Sequence, residues 1–163
     1  MPKDKYDIVL IDCPPNFNIV TKNAIVASDF ILIPAKPDYL STMGIDYLSK
    51  SVNQLVKDYN DYCKVEDDEE VELISPKLEG VVFTMVAFYG AVPISHTRPF
   101  IDQTKILGQQ NGFRVFDNYF RENKTIHADA PAQGVPVVLS NNYRGIGDEI
   151  KDFITEFITQ LNL

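Results

Sequence analysis

The sequence contains no run of 18 or more apolar residues, so it predicts no membrane-spanning helix. Its first residues, MPKDKYD, lack the apolar core of a secretion signal. The two cysteines, Cys13 and Cys63, are too few for a disulfide framework, and nothing beside them has metal-ligand spacing. We therefore expect a protein of the reducing cytoplasm, in which both cysteines are small packing residues.

The net charge of -8 is unevenly distributed along the chain. Nine acidic residues and only two lysines stand between positions 58 and 79. We expect residues 60–78 to form an acidic, solvated insertion, either an exposed loop or a frayed helix end. Positions 96–126 carry five basic residues against three acidic ones, so a basic face elsewhere is compatible with the overall charge.

The stretch from Tyr6 to Pro15, YDIVLIDCPP, predicts a strand that ends in a functional carboxylate. The unbroken apolar run Ile8–Ile11 is typical of a strand buried on both faces of a parallel sheet. Asp12 follows directly, at the edge where open α/β sheets bind their ligands. Asp12 is therefore the first candidate for chemistry, the alternative being that it caps the next helix.

Strand patterns and helix patterns alternate along the rest of the chain. The predicted helices run from Asn18, as the cap, to about Ser28, from Ser41 or Thr42 to about Tyr59, from Phe100 to Gln110 with a stop at Asn111-Gly112, and over the last fourteen residues. A loop is predicted from Phe88 to Pro99. The residues predicted to face inward are Val20, Ala24 and Ala27 on the first helix, Ile101, Ile106 and Leu107 on the third, and Ile150, Phe153, Ile154, Phe157, Ile158 and Leu161 on the last. The predicted strands are Phe30–Pro34, Gly80–Val86 and Phe113–Phe120. This order predicts one α/β domain over residues 1–163, with a mainly parallel sheet and flanking helices.

Several motifs together resemble the ParA-type partition ATPases, which belong with MinD to the deviant Walker A class of P-loop proteins. The residues that carry the resemblance are DCPP at 12–15, TKNAIVASD at 21–29, IPAKPDY at 33–39, GVVFTM at 80–85, APAQGVPV at 130–137 and Arg144-Gly145. Their order and spacing form a specific composite that extends from Tyr6 to the carboxyl terminus, apart from the acidic insertion. The resemblance implies a partial P-loop NTPase fold of the SIMIBI type.

One defining motif of that family is missing from this sequence. Family members open with a lysine-rich phosphate loop, K-G-G-x-G-K-[ST], and no glycine here falls into such a pattern. The loop aims backbone N–H groups and a lysine at the phosphates of the nucleotide. The chain therefore resembles the carboxyl-terminal portion of a ParA-type ATPase, and we expect no appreciable ATP hydrolysis from this portion alone.

The resemblance implies a role for individual residues at a site for ATP and magnesium. Asp12 corresponds to the Walker-B-type carboxylate, which holds Mg²⁺ through a water ligand and orders the switch region. Cys13, Pro14 and Pro15 correspond to the start of the switch loop, stiffened by the two prolines. Thr84 and Met85 stand near the expected adenine pocket, and Arg121 begins a segment that resembles the loop beside the base.

The resemblance also implies partners. Partition ATPases bind DNA non-specifically as nucleotide-bound dimers, through basic residues of their carboxyl-terminal half. The candidates for DNA contact are Arg98, Lys105, Lys124 and Arg144. We accordingly expect a homodimer, a ParB-like partner protein and an association with the nucleoid.

Three other interpretations were compared with this one. A phosphoacceptor receiver domain is rejected, because Lys36 precedes Thr84 and so reverses the order that such a site requires. MinD-like membrane cycling needs a last helix that is amphipathic and basic. The last fourteen residues hold one lysine and two acids, so we expect no membrane binding. A non-enzymatic interaction or dimerisation module of the same fold stays open, because a sheet without its first strand exposes an apolar edge.

Overall fold

The computed structural model of the chain describes residues 6–65, 72–90, 92–123, 134–139 and 144–161. The chain divides into two compact units, one of residues 1–31 and 50–77, the other of residues 32–49 and 78–163. Each unit is described by itself. The expectation of a single domain stays a prediction.

Helices and strands alternate along the described chain, as the sequence predicts. In order they are α1 (Ile19–Val26), β1 (Phe30–Ala35), α2 (Tyr39–Val65), β2 (Lys77–Phe83), β3 (Phe88–Tyr89), β4 (Val92–Pro93), α3 (Arg98–Asn111), β5 (Arg114–Val115), a short 3-10 turn (Val137–Leu139) and α4 (Arg144–Leu161). Strands β1, β2 and β5 form a sheet in that spatial order, and β2 pairs with β5 in parallel. The predicted α/β class with a parallel sheet and flanking helices is therefore confirmed.

The predicted first strand is wrong. Residues Tyr6–Ile11 form no strand, and the run from Ile8 to Ile11 is exposed, with Leu10 at 86%. The physical reason is that a parallel strand needs hydrogen-bonding neighbours. Within the described ranges, the sheet consists of β1, β2 and β5, and none of these strands pairs with Tyr6–Ile11. The apolar run therefore has no ladder to join.

Helix α1 begins where the sequence predicts but buries a different face. The Asn18 side chain accepts hydrogen bonds from the N–H groups of Val20 (3.0 Å) and Thr21 (3.2 Å), which is an N-cap. We expected Val20, Ala24 and Ala27 to face inward. Instead Thr21 and Ile25 are the buried residues, while Val20 and Ala27 are exposed.

Helix α2 starts two residues before the predicted Ser41. The Asp38 carboxylate accepts a hydrogen bond from the N–H of Ser41 (2.8 Å), so Asp38 caps the helix and Tyr39 opens it. The helix continues to Val65, so the first acids of the acidic stretch, Asp58 and Asp61, are helical. The remainder of that stretch, residues 66–71, lies outside the described chain, and the insertion at 60–78 stays a prediction.

Strand β2 forms the centre of the core. Val81, Val82 and Phe83 are almost completely buried. The strand runs from Lys77 to Phe83, three residues before the predicted span at both ends. Strand β5 is also shorter than predicted, because only Arg114 and Val115 pair with Gly80 and Val81.

Helices α3 and α4 form where the sequence predicts helices, with partly different inner faces, but α4 begins at Arg144, six residues before the predicted Ile150. Gly112 ends α3 in the left-handed conformation (φ 78°), and its N–H donates to the carbonyl of Gly108. Ile101 is buried, but Ile106 is exposed where we expected it inside. On α4, Phe153 and Phe157 pack on the ring of Phe116 at centroid distances of 5.2 and 6.0 Å. The other inner positions predicted for α4 include Ile154 and Ile158, which are exposed.

Among the described residues, no helix is both long enough and apolar enough to cross a membrane.

The loop that we expected from Phe88 to Pro99 contains a short antiparallel hairpin, in which Phe88 pairs with Pro93 and Tyr89 with Val92. Tyr89, beside the turn at Gly90, is exposed.

Candidate functional site

The Asp12 loop belongs to the first unit and is anchored on α1. The carboxylate of Asp12 is exposed, and Cys13 beside it is partly buried. The following turn is closed by a hydrogen bond from the N–H of Asn16 to the carbonyl of Pro14 (2.7 Å). The Thr21 hydroxyl donates to the carbonyl of Asn16 (2.7 Å) and so fixes the loop to α1. Asp12 thus precedes an ordered turn, with its oxygens accessible to a ligand.

A second group of candidate residues lies in the other unit, where β2 ends. The N–H of Thr84 donates to the carbonyl of Ala35, the last residue of β1, at 2.8 Å. Met85 follows in the left-handed conformation (φ 54°) with an exposed side chain. Residues without a glycine's freedom rarely adopt this conformation, and such strained positions concentrate at functional sites. The strand therefore ends in an abrupt turn that presents Met85 to solvent.

Arg121 lies directly beside this turn. Phe120 donates its N–H to the carbonyl of Phe83 (2.9 Å) and accepts at its own carbonyl from the N–H of Val86 (3.0 Å). Arg121 is bridged in parallel to Val86. The structure thus brings together three predicted residues, Thr84, Met85 and Arg121, which we call the strand-end cluster.

The side chain of Arg121 is held by two residues that the sequence analysis did not identify. Its guanidinium carbon lies 4.5 Å from the centroid of the Phe88 ring. Its Nε lies 2.5 Å from Oε1 of Glu149 on α4, and its main-chain N–H donates to Oε2 of the same carboxylate (3.3 Å). Both contacts join distant parts of the chain, and no local pattern indicates them.

A second carboxylate of α4 holds the segment that leads to Arg121. Glu156, seven residues after Glu149, accepts from the N–H groups of Asp117 (2.9 Å) and Asn118 (3.0 Å) and from the Asn118 side chain (2.7 Å). Seven residues are about two helical turns, so both carboxylates lie on one face of α4. The seven-residue spacing of these two acids is the one feature of the sequence that could have indicated their role. Carboxylates on one face of a helix can accept hydrogen bonds from backbone N–H groups that have no other partner.

Two of the four candidate DNA-contacting residues, Arg98 and Lys105, lie seven residues apart on α3. Arg98, the first residue of α3, donates from Nε to the carbonyl of Pro93 (3.1 Å). Lys105 forms an ion pair with Asp117 (3.0 Å), and the hydrogen bond that its ammonium donates to this carboxylate raises the pKa of Lys105 above its ordinary value. Lys124 lies outside the described residues, and of Arg144 only the main chain, at the start of α4, is described. Their role in DNA binding stays a prediction.

Asp12 is the one candidate magnesium ligand that the resemblance indicates. In the described part of the chain, no three His, Cys, Asp or Glu side chains are grouped to hold a metal ion. One accessible carboxylate nevertheless fits the implied Mg²⁺, because this ion keeps several waters and takes phosphate oxygens beside one or two carboxylates. An open cavity of about 440 Å³ in the first unit is lined by Val26–Phe30 and Glu72–Lys77, and none of the candidate residues contributes to it.

The parallel sheet with flanking helices and the polar residues at its strand ends define the class, an α/β protein with a P-loop NTPase-like fold. A family profile described as an AAA domain matches residues 2–65. The sporulation initiation inhibitor protein Soj of Bacillus subtilis is 30% identical over 84% of the chain. The chromosome-partitioning ATPase Soj of Treponema pallidum is 26% identical over 83%, and the chromosome partitioning protein ParA of Myxococcus xanthus is 25% identical over 83%. The chain is thus similar to the ParA/Soj chromosome-partitioning proteins over most of its own length.

The chain spans under half the length of these relatives: 46% of the Bacillus protein, 45% of the Treponema protein and 40% of the Myxococcus protein. No solved structure matches the chain significantly.

Proposed function

We propose that this chain provides the magnesium side and the base side of the ATP site of a ParA-type partition ATPase. The observation that carries the proposal is the strand-end cluster, in which Thr84, Met85 and Arg121 meet at the carboxyl ends of parallel strands. Ligands of open α/β sheets bind at this edge. The left-handed Met85 also supports a binding role, since strain of this kind concentrates at ligand sites.

Asp12 is assigned the magnesium role. Its carboxylate would hold the ion through a water, while Cys13, Pro14 and Pro15 would respond to the state of the nucleotide as the start of the switch loop. The bound ion would neutralise charge on the phosphates during their transfer. The contribution of the chain itself is an accessible carboxylate ahead of a turn that Thr21 anchors to α1.

This portion needs a phosphate loop for turnover. The 163 residues contain no such loop, and its N–H groups and lysine supply much of the affinity for the phosphates. We therefore expect the isolated chain to bind ATP weakly and not to hydrolyse it.

Backbone NMR with millimolar ATP and Mg²⁺ tests the site. The expected result is a set of shifts at the amides of Thr84, Met85 and Arg121, together with broadening around Asp12 when Mn²⁺ replaces Mg²⁺. The variant Asp12→Ala should lose the broadening, whereas Asp7→Ala, which removes another exposed carboxylate, should keep it. Shifts confined to other surfaces would contradict the assignment.

The proposed function also includes a role in DNA segregation, which requires non-specific binding to DNA. Non-specific DNA binding by a dimer, through Arg98, Lys105, Lys124 and Arg144, should weaken steeply as salt is raised. Replacing Arg98 and Arg144 together by alanine should reduce both the affinity and the slope of log K against log salt. Replacing Lys50 and Lys57 of α2, which keeps the same change in charge, serves as control. An unchanged slope in the first variant would exclude these residues from the DNA contact.

A second candidate function is a non-enzymatic interaction module, and the exposed run from Ile8 to Ile11 favours it. These four side chains are 44–86% exposed, and apolar surface of this extent on an extended segment is typical of a protein contact. Self-association that rises with concentration in sedimentation, and that Leu10→Asp abolishes, would support this function. A monomer at all concentrations would contradict it for the isolated chain.

A further inference from the structure

Arg121 offers a planar surface rather than a free charge. The Phe88 ring covers one face of its guanidinium at 4.5 Å, and the carboxylate of Glu149 lies against its Nε. The side chain of Arg121 nevertheless stays 47% exposed, whereas that of Glu149 is only 20% exposed. Because Phe88 occupies one face, the accessible surface of the guanidinium lies on its other face and its edge.

Glu149 fixes Arg121 twice. One carboxylate oxygen is bound by the guanidinium and the other by the main-chain N–H of the same residue. Glu149 is itself held in place, because Phe153, one turn further along α4, packs on the rings of Phe116 and Phe120 at 5.2 Å each. The position of the guanidinium is therefore set by α4 and not by Arg121 alone.

We propose that Glu149 and Phe88 are positioning residues, which hold the Arg121 guanidinium as a stacking surface for the purine base of a nucleotide. The inference rests on the proposed function and assigns the base side of that site. Guanidinium planes stack on aromatic rings and on nucleic-acid bases. The pairing with Glu149 neutralises the charge of Arg121, which favours contact through its face over contact with a phosphate.

The location agrees with this assignment. Arg121 is bridged to Val86, the residue after the left-handed Met85, whose side chain is 58% exposed. An exposed apolar side chain and a flat guanidinium surface therefore stand on neighbouring main-chain segments. A planar heteroaromatic ring fits such a pair better than a compact anion does.

The test separates the base from the phosphates. Adenosine, which has no phosphate, and inorganic tripolyphosphate, which has no base, are titrated into the full chain while the Nε–H and amide signals of Arg121 are followed by NMR. In the unmodified protein, adenosine should shift these signals. Glu149→Ala should weaken the adenosine response about tenfold, in line with the measured contribution of base stacking, and should not weaken the tripolyphosphate response. Phe88→Leu should act in the same direction as Glu149→Ala.

Asp148→Ala is the matched control, because Asp148 is an exposed acid next in sequence that pairs only loosely with Lys151 (3.8 Å). It should leave the adenosine response unchanged. If Glu149→Ala does not fold, Glu149→Gln replaces it, because glutamine keeps an acceptor oxygen without the charge. In this variant adenosine should shift the Nε–H signal of Arg121 less than in the unmodified protein. Equal adenosine affinities in Glu149→Ala and the unmodified protein would overturn the inference. So would a tripolyphosphate response at Arg121 that exceeds the adenosine response, which would point to nucleic-acid or phosphate contact.

Failure of the proposed function gives a different result. In that case ATP with Mg²⁺ would produce no change at Asp12. An adenosine response at Arg121 that depends on Glu149 would then remain as evidence for a base site outside a partition ATPase. Loss of the adenosine response with intact ATP and Mg²⁺ effects at Asp12 would instead reject the positioning role alone.

Discussion

Two apolar segments of similar composition differ in burial and in secondary structure in this protein. The run from Ile8 to Ile11 is exposed and forms no strand, whereas Val81, Val82 and Phe83 are buried at the centre of a sheet. The difference is the neighbours, since β2 lies between β1 and β5 in the described sheet. An apolar sequence therefore makes a buried strand only where other strands are present to take its hydrogen bonds.

The largest expected effect compares one side chain from each segment. Phe83→Ala removes a fully buried ring that packs edge-on to Tyr119, and it should lower the free energy of unfolding by about 3–5 kcal/mol. Leu10→Ala removes a side chain that is 86% exposed, and it should change that free energy by less than about 0.5 kcal/mol. Urea unfolding measures both. Similar losses in the two variants would mean that Ile8–Ile11 is buried in solution.

A glycine pair sharpens the same contrast at the level of the backbone. A Cβ at Gly80 would lie 2.7 Å from the carbonyl oxygen of Arg114, so Gly80→Ala should push β5 away and cost about 1–3 kcal/mol. Gly44 of α2 has no neighbouring atom within 4 Å of such a Cβ, and Gly44→Ala should stabilise the protein by about 0.5–1 kcal/mol. Thermal unfolding with opposite shifts would support the account, and a stabilising Gly80→Ala would contradict it.

The segment after β5 tests whether side chains can replace missing strand neighbours. Glu156→Ala leaves the N–H groups of Asp117 and Asn118 without their acceptor, and it should cost about 1–3 kcal/mol. Hydrogen exchange at these two amides should accelerate at the same time. Asp152→Ala, which changes an exposed acid one turn away on α4, should leave both the stability and the exchange almost unaltered. Unchanged exchange in Glu156→Ala would show that the segment does not depend on this carboxylate.

The smallest effect concerns the start of α2. The hydrogen bond from the Ser41 N–H lowers the pKa of Asp38 below its ordinary value of 3.8. A lowered folded-state pKa stabilises the fold above the unfolded pKa, and this stabilisation is lost as the pH falls through the folded pKa. Asp38→Ala should therefore cost about 1 kcal/mol at pH 7 and progressively less below about pH 3.8.

The control for this position is Asp38→Asn, which keeps a capping oxygen without a titrating group. It should retain most of the stability of the unmodified protein at pH 7 and show little of the pH dependence. Urea unfolding from pH 2 to pH 7 measures both variants. A cost of Asp38→Ala that stays constant over this range would contradict the assigned role of the carboxylate.

Local patterns predicted much of the fold. The Asn18 cap, the FILIP strand and the Gly112 stop were confirmed, because each depends on residues within a few positions of one another. Inner faces were less predictable: Val20, Ile106 and Ile154 are apolar but exposed, while Thr104 is fully buried. Which face of a helix is covered depends on what packs against it, and the helical period alone does not supply that information.

Some residues of the candidate site could likewise be predicted from the local sequence, and others could not. Thr84 and Met85 could be placed at the end of β2 from the sequence, although the left-handed turn at Met85 carries no local signal such as glycine. Phe88 and Glu149 could not be identified, because they reach Arg121 through the tertiary fold, and Glu149 stands 28 residues away in sequence. Ion pairs of this kind follow from packing and not from spacing.

Phosphate release from ATP tests most directly our proposal that the chain supplies the magnesium and base residues of a partition ATPase but does not turn over ATP without a phosphate loop. The measurement compares the purified chain and Asp12→Ala, each with ATP, Mg²⁺ and DNA. The account predicts no release above background from either protein. Sustained release from the unmodified chain that disappears in Asp12→Ala would contradict it.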